Sequence, residues 1–313
     1  MGQTYAAIIP VYNRPGLIAE AIASIQQQTI PLDEIIVVDD ASTDRTPDAV
    51  ETLARKDQRI RLLRLSANGG PGNARNHGIA ATQCNWISFL DSDDRWLPHK
   101  HERQIAVLAD HPHAIAAFTG VRYHRSGTYY DCNAPAQISL FDLRCFNFLG
   151  GPSNAMVRRD CFPRIGVFDC GLEPCEDWDL WIRLRQIGDF ALVREPLTIY
   201  ERGGDADKML ADVDYVICGH QAIFAKILSG VADRSERRRI EGHHLLQMAR
   251  LRLFDQRQPS AAAVAATRAL LRQPTKDGLR LLKWSVRDCL RSRRWDLKAK
   301  AALGRLSATW RRR

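Results

Sequence analysis

Two apolar runs in the first hundred residues stop in clusters of carboxylates. Residues 35–38 run into Asp39-Asp40, and residues 86–90 run into Asp91-Ser92-Asp93-Asp94. Short runs of β-forming residues without alternation read as strands covered on both faces of a parallel sheet. In open α/β sheets ligands sit beyond the carboxyl ends of such strands, so these acids stand where a ligand would bind. Hard oxygens in an Asp-x-Asp pair suit Mg2+ or Mn2+, ions that commonly hold a substrate phosphate. Aspartates after strands also serve as turn residues and helix caps. Two such clusters close together favour the ligand reading.

The elements that would carry these acids alternate. Strands are predicted at 6–11, 35–38, 60–65 and 86–90, with helices over 17–28, 47–55 and 74–81 between them. Ser42-Thr43-Asp44 could cap the second helix, with Pro47 in its first turn. This order predicts a doubly wound, mostly parallel α/β sheet. Further on, strands are predicted at 114–123, 128–130, 154–157, 190–193 and 197–200, and helices near 160–162 and over 176–186. Beyond Gly203-Gly204 the sequence turns to long helical patterns rich in Ala, Leu and Arg, so the expected division is 1–204 and 205–313.

Several function classes are disfavoured. No Gly-x-Gly-x-x-Gly follows the first strand, which argues against a dinucleotide fold, and Gly69-Gly70-Pro71-Gly72 lacks the Lys-Ser/Thr of a P-loop. No apolar run approaches the ~18 residues of a membrane span. A charged n-region followed by an h-region is not seen, so an export signal is not expected. The eight cysteines include no Cys-x-x-Cys and are read as reduced thiols. Only Cys161, Cys170 and Cys175 crowd together enough to raise a metal or redox site.

The net charge of +9 is concentrated at one end. Residues 287–313 carry ten basic residues against two acids, a net of +8, which leaves +1 for everything before them. Trp295, Ala299, Ala302, Leu303, Leu306 and Trp310 fall on one face at helical spacing. A basic amphipathic helix of this kind either packs on its own protein or attaches to an anionic membrane surface. Nucleic acid is not expected as a partner, because no aromatic-interleaved binding motif accompanies the charge.

From Ile8 to about Tyr200 the chain resembles the family 2 glycosyltransferases of GT-A fold. The resemblance is carried by Pro10-Val11-Tyr12-Asn13, by Val38-Asp39-Asp40-Ala41-Ser42-Thr43-Asp44, and by Gly70-Pro71-Gly72-Asn73-Ala74-Arg75-Asn76-His77-Gly78-Ile79. Phe89-Leu90-Asp91-Ser92-Asp93-Asp94 and Glu176-Asp177-Trp178-Asp179-Leu180-Trp181-Ile182-Arg183-Leu184 complete it. The resemblance implies inverting transfer of a sugar from a nucleotide-diphosphate donor, a UDP-sugar being favoured, to a glycan or lipid-linked acceptor. It implies an enzyme that is cytoplasmic or peripheral on the inner membrane face.

Residue by residue, the resemblance gives Pro10 and Tyr12 to the nucleobase, and Asp40, with Asp39 beside it, to a hydrogen bond from the base. It brings Arg75 toward the nucleotide, Asp91 near the ribose, and Asp93 to a divalent ion, Mn2+ or Mg2+. Asp177 is the expected general base, with Glu176 and Trp178 as secondary candidates toward the acceptor. Elementary chemistry adds that Glu176 and Asp177 suit a helix N-terminus, and that Trp178 and Trp181 could equally be core. Asp179 is expected to cap or solvate the helix. Many relatives carry a histidine just after the last strand as a metal ligand. Here Tyr200-Glu201-Arg202-Gly203-Gly204-Asp205 has none, leaving Glu201 or Asp205 as replacements, or Asp93 and the diphosphate alone. His77, His99 and His101 are expected to be solvated or to pack. A silent nucleotide-sugar-binding module and a nucleotidyltransferase on a related sheet are the alternatives.

Overall fold

The computed structural model describes residues 2–202, 213–255 and 258–292. Strands and helices alternate as β1 (Tyr5–Val11), α1 (Leu17–Gln26), β2 (Glu34–Asp39), α2 (Thr46–Ala54), β3 (Ile60–Arg64), α3 (Gly70–Ala81) and β4 (Trp86–Phe89). Then follow β5 (Arg95–Trp96), α4 (Lys100–Asp110), β6 (Ala114–Arg125), β7 (Thr128–Cys132), α5 (Leu140–Cys145), β8 (Ala155–Arg158), α6 (Phe162–Ile165), α7 (Glu176–Ile187) and β9 (Asp189–Arg202). Among the described residues the remaining helices are α8 (Val213–Ser229), α9 (Arg234–Arg250), α10 (Pro259–Arg272) and α11 (Lys276–Ser292). The chain divides into two compact units, Met1–Leu143 with Asn147–Lys208, and Arg144–Phe146 with Met209–Arg313.

In the first unit the strands order as β3-β2-β1-β4-β8-β6-β9-β5, with β7 on β6. β1 pairs in parallel with β2 and β4, and β2 with β3. Every residue of β4 is buried, and every residue but the first in β1 and β2. That is why these strands read as continuous apolar runs. On one face Ile18, Ala21, Ile22 and Ile25 of α1 pack against Ala7, Ile9, Val11, Ile35 and Val37. The carboxyl ends of β1, β2 and β4 therefore share one edge, where the acids gather.

β8 pairs antiparallel with β4 and β6, and β6 pairs in parallel with β9. The two strands predicted at 190–193 and 197–200 are one strand. Pro196 sits opposite Gly120 where the register shifts, so a ladder irregularity, not a turn, broke the apolar pattern. The two-residue β5, antiparallel to β9, is too short to leave a periodic signal.

In the second unit α10 presents Ala262, Ala263, Ala265, Ala266 and Ala269, all at most 4% exposed. Such small side chains permit close helix packing. Asp233 caps α9 by accepting from the Glu236 amide at 2.6 Å. The boundary expected at 204/205, the loop carboxylate Asp205 and the apolar stripe from Trp295 to Trp310 lie outside the described residues.

Candidate active site

The loops after β1 and β2 are tied together before any ligand arrives. Asn13 and Ala41 adopt left-handed φ of 51° and 62°. The Asn13 amide donates to Ser42 Oγ at 2.9 Å, and the Asn13 side chain accepts from the Thr43 amide at 2.9 Å. Ser42 therefore does not cap α2; the helix starts at Thr46, whose amide donates to Asp44 Oδ1 at 2.8 Å. Pro10 is buried at the end of β1 and Tyr12, just beyond it, is 45% exposed. Of this pair the Tyr12 ring is the face open to a flat ligand.

Asp39 and Asp40 have different neighbours. Asp39 is fully buried, accepts from the Ser42 amide at 3.3 Å, and has Arg64 Nε 3.6 Å away. Asp40 accepts from the amides of Gly69 at 3.0 Å and Gly70 at 2.8 Å. It thereby pins the loop that opens α3. Gly70 has φ +84°, which any other residue would adopt under strain.

The centre of the site is Arg75. Its guanidinium is 4% exposed and bridges Asp91 at 2.6 Å and Glu176 at 2.9 Å. It also lies 5.3 Å from the centroid of the Phe168 ring. One buried cation thus joins the end of β4 to the start of α7, residues 101 apart in sequence from Arg75 to Glu176. Such a pair is held by charge-assisted hydrogen bonds and is damaged badly by loss of one partner.

Ser153 ties the acid cluster from behind. The Asp91 amide donates to its Oγ at 3.0 Å, and the hydroxyl donates to Asp94 at 2.5 Å. Asp94 is therefore a buried anchor, while Asp93 faces outward to an ion pair with Arg14. The Asp93 carboxylate is thus in reach of a cation delivered at the rim of the site.

Asp177 is half-buried at the first turn of α7 and accepts from Asn147 Nδ2 at 3.3 Å. Burial, and then the neighbouring Glu176 carboxylate, push it up to about 8, far above the usual carboxylate range. Glu173, in the preceding loop, is pushed up to about 7 by burial and by Glu176. A site already holding several carboxylates favours the proton on the most shielded ones.

Other expectations resolve differently. Trp178 and Trp181 are core: 2% and 0% exposed, with their indole N–H groups donating to Leu143 O at 2.6 Å and Gly150 O at 3.1 Å. Trp178 is thereby withdrawn from an acceptor role. Asp179 is not solvated; it is 3% exposed and paired to Arg183 at 2.8 Å. Glu201 is engaged by Arg95 and by His124 Nδ1 at 2.6 Å. His101 packs as expected, and burial lowers it to about 4. Cys161 and Cys175 are buried thiols pushed upward by burial, the former to about 11. Among the described residues no group of three or more His, Cys, Asp and Glu is arranged to hold a metal. No described helix is long and apolar enough to cross a membrane.

Sequence reasoning assigned no role to Arg14, Asn147, Ser153 or Glu173. Arg14 is adjacent to Tyr12-Asn13, and that adjacency was its only signal. The other three come from irregular segments with no periodicity to mark them.

Comparison with known proteins agrees with this geometry. The model of glycosyl transferase family 2 matches residues 6–166, just over half of the chain. A putative teichuronic acid biosynthesis glycosyltransferase, TuaG of Bacillus subtilis, is 33% identical over 58% of this chain and 72% of its own length. The chain belongs to glycosyl transferase family 2. This glycosyltransferase is also 28% identical to an uncharacterized glycosyltransferase of Haemophilus influenzae, over 61% of this chain and 66% of that one. It thus spans about two thirds of these relatives' length. Among solved structures, residues 1–349 of S. aureus TarS superpose with a TM-score of 0.65 at 18% identity, covering 93% of this chain and 92% of that one. The fold is accordingly GT-A, with a helical C-terminal region.

Proposed function

We propose that this glycosyltransferase moves a sugar, with inversion, from a nucleotide-diphosphate donor to a hydroxyl of a glycan or lipid-linked acceptor. The observation that carries the proposal is the Arg75 bridge, which holds the donor-side acid Asp91 and the acceptor-side pair Glu176-Asp177 in one cluster. A single displacement needs both sides within one small space.

In this reading Tyr12 and Pro10 flank the nucleobase. Asp40, with Asp39 behind it, fixes the loop that the base approaches and supplies carboxylate oxygens on that side. Asp91 faces the ribose. Structural neighbours are solved with UDP and UDP-GlcNAc in one case, and with GDP-Man and Mn2+ in another, which supports a nucleotide-sugar donor. TuaG, named for teichuronic acid, and the succinoglycan biosynthesis protein ExoO of Rhizobium meliloti, 43% identical over 31% of this chain, support a glycan acceptor.

A divalent ion fits the donor set: Asp93 and Asp91 are hard oxygen donors, and the Asp93 carboxylate already attracts the Arg14 cation. Mg2+ or Mn2+ commonly needs only one or two carboxylates when a diphosphate supplies the rest. When bound it supplies charge neutralisation on the departing diphosphate. Arg14, beside Asp93, would add its own positive charge at the same rim.

Asp177 then takes the acceptor hydroxyl's proton. Its high proton affinity suits a base that must accept a proton from an alcohol, and Asn147 orients its second oxygen. Residues 287–313, with their net +8, would draw the enzyme to an anionic inner-membrane surface where lipid-linked acceptors reside.

Nucleoside diphosphate release, measured with a panel of donors and glycan acceptors, tests the proposal. Release by the parent and not by Asp177→Asn supports it, as does NMR detection of an inverted anomeric centre. Binding without turnover under any pairing would leave a silent binding module. Release of pyrophosphate from a nucleoside triphosphate would point to nucleotidyl transfer.

A further inference from the structure

The second unit treats its basic residues in two ways. Around α9 the arginines meet acids: Arg237 and Arg272 both reach Glu241, at 3.8 and 2.7 Å, and Glu236 takes Arg144 at 2.8 Å. A solvated helix face is ordinarily laced in this manner. On α11 the residues Lys276, Arg280, Lys283 and Arg287, spaced four, three and four apart, form one stripe, and all four are exposed. Among the described residues none of the four is in an ion pair. By helical spacing Asp277 and Asp288 fall to the side of the stripe, and Asp277 is taken by Arg250 at 3.2 Å.

The opposite face of α11 is used by the fold: Gly278, Leu281, Leu282 and Ser285 are buried. The stripe is edged by apolar side chains that are not. Leu279 on one side is 43% exposed and Trp284 on the other 37%. Phe254, in the turn after α9, is 56% exposed and meets the Trp284 ring edge to face, centroids 5.8 Å apart. The Arg280 guanidinium lies 6.0 Å from the Trp284 centroid. Among the described residues of this unit, these three are the exposed large hydrophobic side chains, and they gather at one basic stripe.

Water alone is a poor partner for such a surface. Like charges one turn apart repel, and grouped apolar side chains in water mark an interaction site. The boundary layer of an anionic bilayer suits both features. Aromatic rings seat between headgroups and acyl chains, and Lys and Arg lie against lipid phosphates. In the sequence the four-three spacing runs on through Arg291 and Arg294 into the segment of net +8, so the stripe is continuous with the basic end of the chain.

We propose that the exposed face of α11, with Phe254 beside it, is a docking surface for an anionic lipid bilayer, its aromatics entering the headgroup layer and its basic stripe facing lipid phosphates. The inference rests on the membrane reading of residues 287–313 above, and adds a second contact that can be removed separately. Full-length protein is sedimented with vesicles of phosphatidylcholine alone and of phosphatidylcholine with phosphatidylglycerol.

The parent should bind the anionic vesicles, not the neutral ones, and should leave them in about 0.5 M salt. Lys276→Gln/Arg280→Gln/Lys283→Gln should bind at least about ten-fold more weakly, since each basic residue near an anionic surface contributes about five-fold. Its melting temperature should stay within about 2 °C of the parent's, because the exchanged side chains are exposed and unpaired. Tryptophan quenching by chain-brominated lipid should be smaller in Trp284→Phe than in the parent. A triple variant binding within about three-fold of the parent, or equal quenching in Trp284→Phe, would overturn the inference and leave the basic end of the chain as the anchor. A parent that binds neither vesicle would overturn the membrane reading and this inference together. A parent that binds single-stranded DNA and no vesicle would assign the stripe to nucleic acid and overturn it as well.

Discussion

Arg75→Met is the substitution that bears most on how the site is built. Methionine keeps much of the length and apolar volume, including the contact with Phe168, and removes only the charge and the fork. Breaking a buried pair by deleting one partner costs about 3–5 kcal/mol. The Asp91 side chain is 30% exposed, so water can screen much of what it loses. Glu176, at 8%, cannot be rescued that way. The loss should fall at the low end, about 3 kcal/mol. For a unit of about 200 residues, each kcal/mol moves the melting temperature by about 2–4 °C, so a drop of about 6–12 °C is expected. Scanning calorimetry of the parent, Arg75→Met and Arg75→Met/Glu176→Gln measures it. The double variant no longer buries an unpaired charge and should recover at least about 1 kcal/mol. A single variant melting within about 2 °C of the parent, or a double variant no better than the single, would refute the view that Arg75 holds β4 and α7 together.

Asp177→Asn should leave nucleotide affinity nearly intact while turnover falls by about 10²-fold or more, and steady-state kinetics beside calorimetry would contradict it if transfer stayed near normal. Because Asp177 is held up at about 8, kcat/KM of the parent should climb with pH toward that value, and a flat profile from pH 6 to 9 would tell against Asp177 as the base. Asp93→Ala should abolish most of the Mn2+ dependence of nucleoside diphosphate binding, and an identical dependence in parent and variant would remove Asp93 as a ligand. Lys100 is fully buried, donates to Gln104 Oε1 at 2.9 Å, and is lowered well below 10.5 by burial. Its unfolded form binds the extra proton below 10.5, so the parent should gain stability as pH rises toward that value; Lys100→Met should flatten this slope in urea titrations at pH 7 to 10.

How legible the protein was in its sequence follows from how regular each part is. β1, β2 and β4 are buried on both faces, so their apolar runs marked both strand and strand end, and the acids beyond them could be placed at once. β9 was split by Pro196, which removes an amide without ending the strand. The resemblance singled out Asp93 and left Asp94 without a role, and Ser153 buries Asp94 while Asp93 stays paired with Arg14 at the rim. That difference is made by a residue 59 positions from Asp94, in a segment with no periodicity. Glu176 and Asp177 could be read as helix N-terminal acids or as a catalytic pair. Arg75 reaching across from α3 joins the two readings, since the same turn that favours acids receives the cation. Trp178 and Trp181 point inward because α7 is covered, which their spacing alone left open.

The most direct test of the account is a titration of the purified chain with UDP, UDP-GlcNAc, GDP and GDP-mannose, each with and without Mn2+, followed by calorimetry. Binding to the carboxyl edge of β1, β2 and β4 requires a nucleoside diphosphate to bind. Its affinity should rise with Mn2+ and collapse in the variant lacking the Asp93 carboxylate. Saturable, Mn2+-enhanced binding of at least one nucleotide-sugar by the parent is the predicted result. Nucleotide binding that is indifferent to both Mn2+ and Asp93, or no binding of any nucleotide-sugar, would contradict it.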